Sequence, residues 1–273
     1  MTRGYVIQAN NELELYQAEL LCNSIKIKNK DASVSLITHL KVETELFDHV
    51  VEYPFYYNMN TRQNDWQLYW ASPYEYTIAI DCKSLVFESH DNLWDYLIEN
   101  HSVCLPTSVL DFRDNVLEYK QLKKYQEEYK LNIACSNLFY FDKSEESVQY
   151  FKMLDPICHH WRDAEQSLFQ KQHTNKKYYP DLIHTIVANS IPFDVFPYFE
   201  NLLSYIDMRV TWQDGVLPIG ESWTDILSVW STDLAKIKLQ NYSINKTIYY
   251  HEDTFYNEQI ANDFRNYRET IYK

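Results

Sequence analysis

The scarcity of glycine constrains this chain more than any other feature. Only three glycines, Gly4, Gly215 and Gly220, occur in 273 residues, whereas the average usage of about 7% would give roughly 19. P-loops and dinucleotide-binding loops need several glycines at fixed spacing, because their backbone must approach phosphate groups closely. The sequence therefore excludes kinases, P-loop NTPases and ordinary Rossmann dehydrogenases.

Length, charge and cysteine usage narrow the class further. A hydrophobic content of 45% is enough to bury a core, and 39 acidic against 25 basic residues give a net charge of -14. Such a charge gives no general attraction to nucleic acid or to anionic membranes. The five cysteines are scattered without a C-x-x-C pair, and no apolar stretch reaches about 18 residues. We therefore expect a folded protein of the cytoplasm with reduced thiols and no membrane contact.

Apolar patterning at the N-terminus predicts a β-α-β unit. Residues 5–7 and 34–38 have the β-branched, apolar composition of buried strands, and residues 13–25 carry apolar side chains at helical spacing. This order favours a parallel sheet. Further strands are predicted at 50–54, 101–105 and 133–141. Further helices are predicted at 66–72, 91–97, 114–130, 144–161 and 180–189.

The run from Tyr76 to Phe87 is the most informative segment. It is an apolar, β-rich stretch that ends at Asp81 and continues after a short polar break. Ligands of open α/β sheets bind beyond the carboxyl ends of the strands, so Asp81 is expected at the site of chemistry. No repeat or linker divides the chain. We predict one α/β domain over residues 1–253 with a polar, helical C-terminal extension over 254–273.

These segments together resemble a known family. The N-terminal β-α-β unit, the stretch from Trp66 through Pro73-Tyr74-Glu75 to Asp81, and the following Leu-Trp-Asp-Tyr-Leu are similar to the nucleotide-sugar glycosyltransferases of the GT-A fold. The nearest resemblance is to glycosyltransferases encoded by tailed bacteriophages. The resemblance continues to about residue 256, through residues 135–141, Pro180-Asp181, the segment 223–241 and Tyr250-His251. It implies a Rossmann-like mixed sheet flanked by helices, and host cytoplasm for a phage-encoded chain.

The resemblance also implies roles for individual residues. It implies transfer of a sugar from a nucleotide-diphosphate donor, with Mn²⁺ or Mg²⁺ held by an Asp-x-Asp motif to neutralise the departing diphosphate. Asp181 would be the catalytic carboxylate as a general base. The other implied contacts are the donor-binding residues Ala9, Asn10, Trp66, Asp81, Lys83 and His251, the acceptor-side residues Ser136, Asn137 and Trp212, and the metal ligands Asp81 and His251.

The motif departs from the family pattern at its second carboxylate. The sequence reads Asp81-Cys82-Lys83, and a charged lysine cannot bind a metal ion. Three interpretations stay open. The Lys83 ammonium replaces the ion, so that transfer is metal-independent; or a metal persists on Asp81, His251 and the donor phosphates; or catalysis is lost.

The same residues also allow purely structural interpretations. Aspartate and asparagine commonly cap helices and turns, aromatic residues at helical spacing usually form core, and a lone histidine is usually structural. These alternatives stay open at Asn10, Trp66, Asp81, Asp181, Trp212 and His251.

Three functions are therefore carried forward. The first is a glycosyltransferase with an unknown acceptor, either a glycan, a protein or a modified base of phage DNA. Net charge counts against DNA, although Lys171, Lys176 and Lys177 form a local basic patch. The second is a GT-A-like binding or scaffold protein without activity, and the third is a nucleotide-sugar hydrolase on a similar fold.

Overall fold

A six-stranded mixed sheet forms the centre of the protein in a computed structural model. The structure describes residues 2–43, 45–111, 114–117, 120–169, 178–198, 203–208, 227–231, 236–239, 242–250 and 258–271. The sheet order is β3-β2-β1-β4-β9-β6. Strands β3, β2, β1 and β4 run parallel, and β9 is antiparallel to both β4 and β6. The strands of this sheet are β1 (Arg3–Gln8), β2 (Ser33–Ile37), β3 (His49–Val51), β4 (Tyr76–Ile80), β6 (Val103–Cys104) and β9 (Leu138–Asp142).

Two smaller sheets and the helices complete the described part of the chain. A five-stranded sheet has the order β5-β14-β10-β7-β8, and β11, β12 and β13 form an antiparallel sheet. Their strands are β5 (Ser84–Leu85), β7 (Val109–Leu110), β8 (Val116–Leu117), β10 (Ile206–Asp207), β11 (Leu227–Ser231), β12 (Lys236–Leu239), β13 (Tyr242–Ile244) and β14 (Ile248–Tyr249). The helices are α1 (Glu12–Lys28), a 3-10 helix (Thr61–Gln67), α2 (Leu68–Ala71), α3 (Asp91–Asn100), α4 (Lys120–Tyr129), α5 (Glu145–His159), α6 (Trp161–Phe169), α7 (Pro180–Ser190) and a C-terminal helix (Glu258–Ile271).

Both faces of the central sheet are covered by apolar side chains. In β1, Tyr5 and Ile7 belong to the core under α1 and α3, whereas Val6 belongs to the core under α2, α5 and α7. Alternate side chains of a strand point to opposite faces. A parallel strand buried on both faces reads as a continuous apolar run, which is why the short apolar segments of this sequence predict strands. The mixed α/β fold class is confirmed.

Helix α1 begins at an asparagine cap. Asn11 is the N-cap, and its side chain accepts a hydrogen bond from the Glu14 backbone N–H. Such a cap satisfies one of the free N–H groups in the first turn of a helix. At the other end of the chain, the C-terminal helix packs against α1, where Arg268 Nη1 donates to Asn23 Oδ1 at 3.2 Å. This helix lies inside the segment that the sequence predicts as a helical extension.

Two predicted elements are wrong in extent. Within the helix predicted over 114–130, only α4 is helical, and the segment also contains β8. Asp114 has a left-handed φ of 63° and lies in the turn between β7 and β8, so no helix can begin there. The Asp111 side chain accepts from the Asn115 backbone N–H at 2.9 Å and stabilises that turn. The strand predicted over 133–141 begins only at Leu138, because the backbone N–H groups of residues 134–136 donate to Thr185 Oγ1, the Pro106 carbonyl and Asp181 Oδ1 rather than to a neighbouring strand.

No helix among the described residues is long and apolar enough to cross a membrane. All five cysteines are buried, and none is joined in a disulfide.

Gly4 is required by a close approach inside the sheet core. A Cβ at this position would lie 2.4 Å from Tyr74 Cζ, and the Tyr74 hydroxyl is held by Ser33 and Ser35. Gly4→Ala is therefore expected to lower the free energy of unfolding by about 1–3 kcal/mol in urea denaturation. In a Tyr74→Ala background the same substitution should cost much less, and an equal cost in both backgrounds would contradict this explanation.

Candidate functional site

A cavity of about 170 Å³ opens at the carboxyl ends of β1 and β4. Gln8 ends β1, and Asp81 follows β4 directly. The two strands are parallel neighbours, so their carboxyl ends meet at one edge of the sheet. The cavity therefore lies where open α/β sheets bind ligands. It is lined by Val6, Gln8, Glu14, Asn60, Thr61, Arg62, Asp65, Leu68, Ala79, Ile80, Asp81, Cys82, Lys83, Ser136, Phe139 and Tyr249.

The Arg62 guanidinium connects the walls of this cavity. Its Nε donates to Asp65 Oδ2 at 3.0 Å, and its Nη1 donates to Asp81 Oδ2 at 2.7 Å and to Asn137 Oδ1 at 2.9 Å. Its Nη2 donates to the backbone carbonyl and the hydroxyl of Ser136 at 2.7 and 2.8 Å. A guanidinium has five N–H donors, and five protein acceptors meet them. These five contacts therefore hold the Arg62 guanidinium in one orientation.

Asp81 receives hydrogen bonds on both carboxylate oxygens. Oδ2 accepts from Arg62 Nη1 at 2.7 Å, and Oδ1 accepts from the Lys83 backbone N–H at 2.9 Å. The Asp81 backbone N–H donates to the Asn137 carbonyl at 2.8 Å, which ties the end of β4 to the segment before β9. Asp81 and Lys83 both line the cavity, as predicted for donor-binding residues, while their role stays a prediction.

Behind Arg62 lies a fully buried chain of polar groups. Asp65, at 1% exposure, accepts from Gln8 Nε2 at 2.7 Å as well as from Arg62. Its Oδ2 lies 3.1 Å from Nε2 of His184, and Nδ1 of His184 lies 2.6 Å from the Tyr150 hydroxyl. Every polar atom of this chain thus has a partner, as burial requires.

Burial and neighbouring charges shift the pKa values of Asp65 and Arg62 in opposite directions. Burial alone would raise the pKa of Asp65, but the Arg62 charge and the His184 hydrogen bond outweigh it and lower the pKa. Burial alone would lower the pKa of Arg62, but the carboxylates of Asp65 and Asp81 hold it well above its ordinary value. Both side chains are therefore ionised at neutral pH, and each compensates the burial of the other.

Of the predicted acceptor-side and catalytic residues, Ser136, Asn137 and Asp181 lie together next to Arg62. Ser136 lines the cavity, and Asn137 donates through Nδ2 to the Tyr205 hydroxyl at 3.0 Å. Asp181, at 5% exposure, accepts from both the backbone N–H and the hydroxyl of Ser136 at 2.8 Å. Asp181 is behind Ser136 and does not line the cavity. Its role as a general base stays a prediction.

The loop after β1 holds the predicted donor contacts Ala9 and Asn10, both buried. The Asn10 backbone N–H donates to Glu14 at 2.7 Å, and its Nδ2 donates to the Asn58 carbonyl at 3.0 Å. Asn10 Oδ1 is buried without a hydrogen-bond partner. Such an acceptor fits a ligand donor, which agrees with the predicted role without testing it.

Trp66 lies in an aromatic cluster rather than on the cavity wall. Its ring stacks on Phe55 at 5.3 Å and meets Trp70 edge-on at 6.0 Å. This arrangement is the structural alternative that the sequence left open for this residue. His251 and Trp212, together with the basic residues Lys171, Lys176 and Lys177, lie outside the described residues.

The described residues do not by themselves form a site for the divalent ion that the family resemblance implies. Both Asp81 oxygens accept from N–H groups, and the residue two positions later is a lysine. No group of three His, Cys, Asp or Glu side chains suited to a metal occurs in the described ranges. We therefore derive no chemical step through a metal ion.

Sequence reasoning missed several residues of this site, among them Asp65, Arg62, Glu14 and Tyr249. Arg62 precedes the predicted helix by four residues, Glu14 is one of several acidic residues in α1, and Tyr249 is one of 24 tyrosines. Burial and the Asp81 carboxylate hold the pKa of Tyr249 well above its usual range, so it stays protonated at neutral pH. The one available signal was the spacing of Arg62 and Asp65, which can pair on one helical turn.

Comparisons with known proteins identify the fold. No protein-family model matches the chain, and no curated protein matches its sequence. Among solved structures, the galactosyltransferase LgtC in complex with donor and acceptor sugar analogues is similar, with a TM-score of 0.55 and 10% identity over 98% of this chain and 95% of that one.

Two further solved structures are similar. The bifunctional glycosyltransferase WbbM has a TM-score of 0.51 and 12% identity, and the match covers 98% of this chain but 49% of WbbM. The glycosyltransferase GlyE of Streptococcus pneumoniae has a TM-score of 0.51 and 8% identity, over 98% of this chain and 60% of that one. The chain therefore has the GT-A glycosyltransferase fold.

The buried Asp65 generates a prediction on acid stability. Because its folded-state pKa lies below the ordinary value of 3.8, its ionised form stabilises the protein fully above that value, and this stability is lost as pH falls through the folded-state pKa. Asp65→Asn removes this titration and breaks a buried ion pair, which lowers the free energy of unfolding at neutral pH by about 3 kcal/mol. In urea denaturation, stability should then fall less steeply below about pH 4 than in the wild type.

Asp95→Asn provides the matched control, since the Asp95 side chain is 76% exposed and lies 3.9 Å from Arg3. This variant should keep the acid slope of the wild type. An unchanged slope in Asp65→Asn would contradict the assignment.

Proposed function

We propose that the protein transfers a sugar from a nucleotide-diphosphate donor to an acceptor hydroxyl. Two observations support this proposal: the GT-A fold, and a polar cavity at the carboxyl ends of β1 and β4. The similar LgtC structure holds donor and acceptor sugar analogues. A cavity with an aspartate, an arginine and a lysine on its wall suits a ligand that combines sugar hydroxyls with phosphate groups.

Charge neutralisation at the diphosphate is the central chemical requirement of such a reaction. The leaving diphosphate gains negative charge as the glycosidic bond breaks, so a positive group must lie near it. The observation that carries our proposal is the Arg62 Nη1 contact with Asp81 at 2.7 Å. This guanidinium compensates the carboxylate that would otherwise require a cation.

Lys83 supplies the second positive charge in this proposal. It lines the same cavity two residues after Asp81. An ammonium group is a compact point charge that can contact a phosphate oxygen. We therefore propose transfer without a metal ion, with Arg62 neutralising Asp81 and Lys83 neutralising the diphosphate.

We propose a glycan hydroxyl rather than DNA as the acceptor. The net charge of -14 repels a phosphate backbone, and the described cavity has carboxylates on its wall. The sequence also suggested two other acceptors, which are a protein and, through the basic patch at Lys171, Lys176 and Lys177, a modified DNA base.

The charge count of the cavity favours a second candidate, a binding protein without transferase activity. Three carboxylates, Glu14, Asp65 and Asp81, line the cavity against the two cations Arg62 and Lys83. Because all five Arg62 donors already have protein acceptors, the guanidinium offers a diphosphate its charge but no free N–H group. Such a site would bind a donor more readily than it would stabilise a departing diphosphate.

The first experiment measures donor binding and its dependence on metal. Calorimetry with UDP-, GDP-, CDP- and TDP-linked sugars is run in Mn²⁺, in Mg²⁺ and in EDTA. We expect one donor class to bind in EDTA. Lys83→Met should weaken that binding about tenfold, or about 1.4 kcal/mol, because it removes a charge that pairs with phosphate.

Lys152→Met is the matched control, since this lysine is exposed on α5 and does not line the cavity. It should bind the donor as the wild type does. Binding that occurs only with Mn²⁺ or Mg²⁺ would overturn the metal-free part of the proposal, while binding to no donor would overturn the whole.

Restoring the family motif gives an independent prediction. Lys83→Asp places a second carboxylate two residues after Asp81, which suits a divalent ion. Donor binding should then become weak in EDTA and recover on addition of Mn²⁺. If Lys83→Asp binds the donor equally well with and without Mn²⁺, Lys83 does not stand in for the ion.

Product analysis separates the candidate functions. With a donor identified, chromatography of reactions with a panel of glycan acceptors should show a glycosylated product. Binding without turnover on every acceptor would favour the binding protein. Free sugar released in the absence of an acceptor would favour the hydrolase.

A further inference from the structure

Helix α7 approaches Arg62 from two directions. Asp181 and His184 are three residues apart in α7, so their side chains lie on one face of the helix. Asp181 Oδ1 accepts from the Ser136 hydroxyl, and that hydroxyl accepts from Arg62 Nη2, both at 2.8 Å. His184 Nε2 lies 3.1 Å from Asp65 Oδ2, which accepts from Arg62 Nε at 3.0 Å.

We propose that His184 and Asp181 are positioning residues that hold the Arg62 guanidinium in the plane required to meet Asp81. The contacts form a closed ring from Arg62 through Asp65, His184, α7, Asp181 and Ser136 back to Arg62. This proposal rests on the proposed function and deepens it, because it identifies two residues that orient Arg62 without contacting a ligand. Neither α7 residue lines the cavity.

The contact with Asp65 places a proton on Nε2 of His184. Asp65 is ionised and only accepts, so Nε2 of His184 carries a proton and donates to it. Nδ1 of His184 lies 2.6 Å from the Tyr150 hydroxyl, within hydrogen-bonding distance. Tyr150 is fully buried, and burial holds its pKa well above the usual range, so its hydroxyl keeps the proton that it donates. Each group in the chain thus has a hydrogen-bond partner.

Fixing the guanidinium from behind has a direct consequence for the cavity. Arg62 has four rotatable side-chain bonds, from Cα–Cβ to Cδ–Nε, and ordering such a side chain costs conformational entropy. Asp65 and Ser136 restrain the Nε and Nη2 sides of the guanidinium, so Nη1 is left to face Asp81 and Asn137. A ligand that needs this arrangement does not have to order Arg62 when it binds.

The test measures the order of Arg62 directly and needs no ligand. Hydrogen exchange of the Arg62 Nε–H group is followed by NMR on ¹⁵N-arginine-labelled protein, with the signal assigned by its loss in Arg62→Lys. His184→Leu removes the donor to Asp65 and should speed exchange about tenfold, equal to about 1.4 kcal/mol. His184→Gln keeps an N–H group where Nε2 was and should stay within about twofold of the wild type.

Two controls separate this role from a general loss of packing. His184→Gln and His184→Leu both remove the imidazole that contacts Phe139 at 5.2 Å, so their difference reports on the bond to Asp65. His101→Leu removes another buried histidine, which contacts Tyr96 and does not line the cavity. It should leave the exchange of Arg62 unchanged.

A further variant keeps the proposal falsifiable if His184→Leu does not fold. Ser136→Ala removes the hydroxyl that links Asp181 to Arg62, and it should speed exchange in the same way. Equal exchange in the wild type and in every variant would overturn the proposal, as would equally fast exchange in His184→Gln and His184→Leu.

Donor calorimetry on the same variants separates the two proposals. If the wild type binds a donor, His184→Leu should weaken binding about tenfold while His184→Gln retains it. If the wild type binds no donor, the proposed function fails, but the exchange rates still decide whether α7 positions Arg62.

Discussion

The ion pairs of Arg62 with Asp65 and Asp81 are the interaction on which the site depends. Two buried carboxylates at one edge of a sheet would repel each other and resist burial, and a guanidinium between them removes both problems. The same group joins the 3-10 helix, the end of β4 and the segment before β9. Three elements distant in sequence therefore meet because one side chain satisfies acceptors from each of them.

This arrangement changes the meaning of the altered Asp-x-Asp motif. Seen in sequence, Lys83 is a cation placed where a metal ligand is expected. Seen in the structure, Asp81 already has a cationic partner in Arg62, at 2.7 Å. The second carboxylate of the motif is thus replaced by Lys83 in a protein where Arg62 already compensates the charge of the first carboxylate, Asp81. The proposed metal-free transfer and the alternative of donor binding without transfer are both compatible with that compensation, and the two proposals differ in whether Lys83 neutralises the diphosphate.

The sheet and the position of Asp81 could be predicted because they depend on local patterns. Strands β1, β2 and β4 are short apolar runs that need both faces covered, and Asp81 follows one of them directly. Arg62 could not be found this way, because its partners are 3, 19, 74 and 75 residues away. The helix predicted over 114–130 failed for a local reason, since the turn at Asp114 has no strong glycine or proline signal.

Asp181 shows that a position in the fold can be predicted from sequence while the role of the residue stays untested. The sequence placed it at the start of α7 and the family resemblance made it a general base. A general base must reach the acceptor hydroxyl and keep a lone pair available for its proton. One oxygen of Asp181 instead accepts two hydrogen bonds from Ser136, behind the cavity wall. Those contacts suit a carboxylate that orders its neighbours, as proposed above, and both of them involve Oδ1, so the role of Asp181 as a general base stays a prediction.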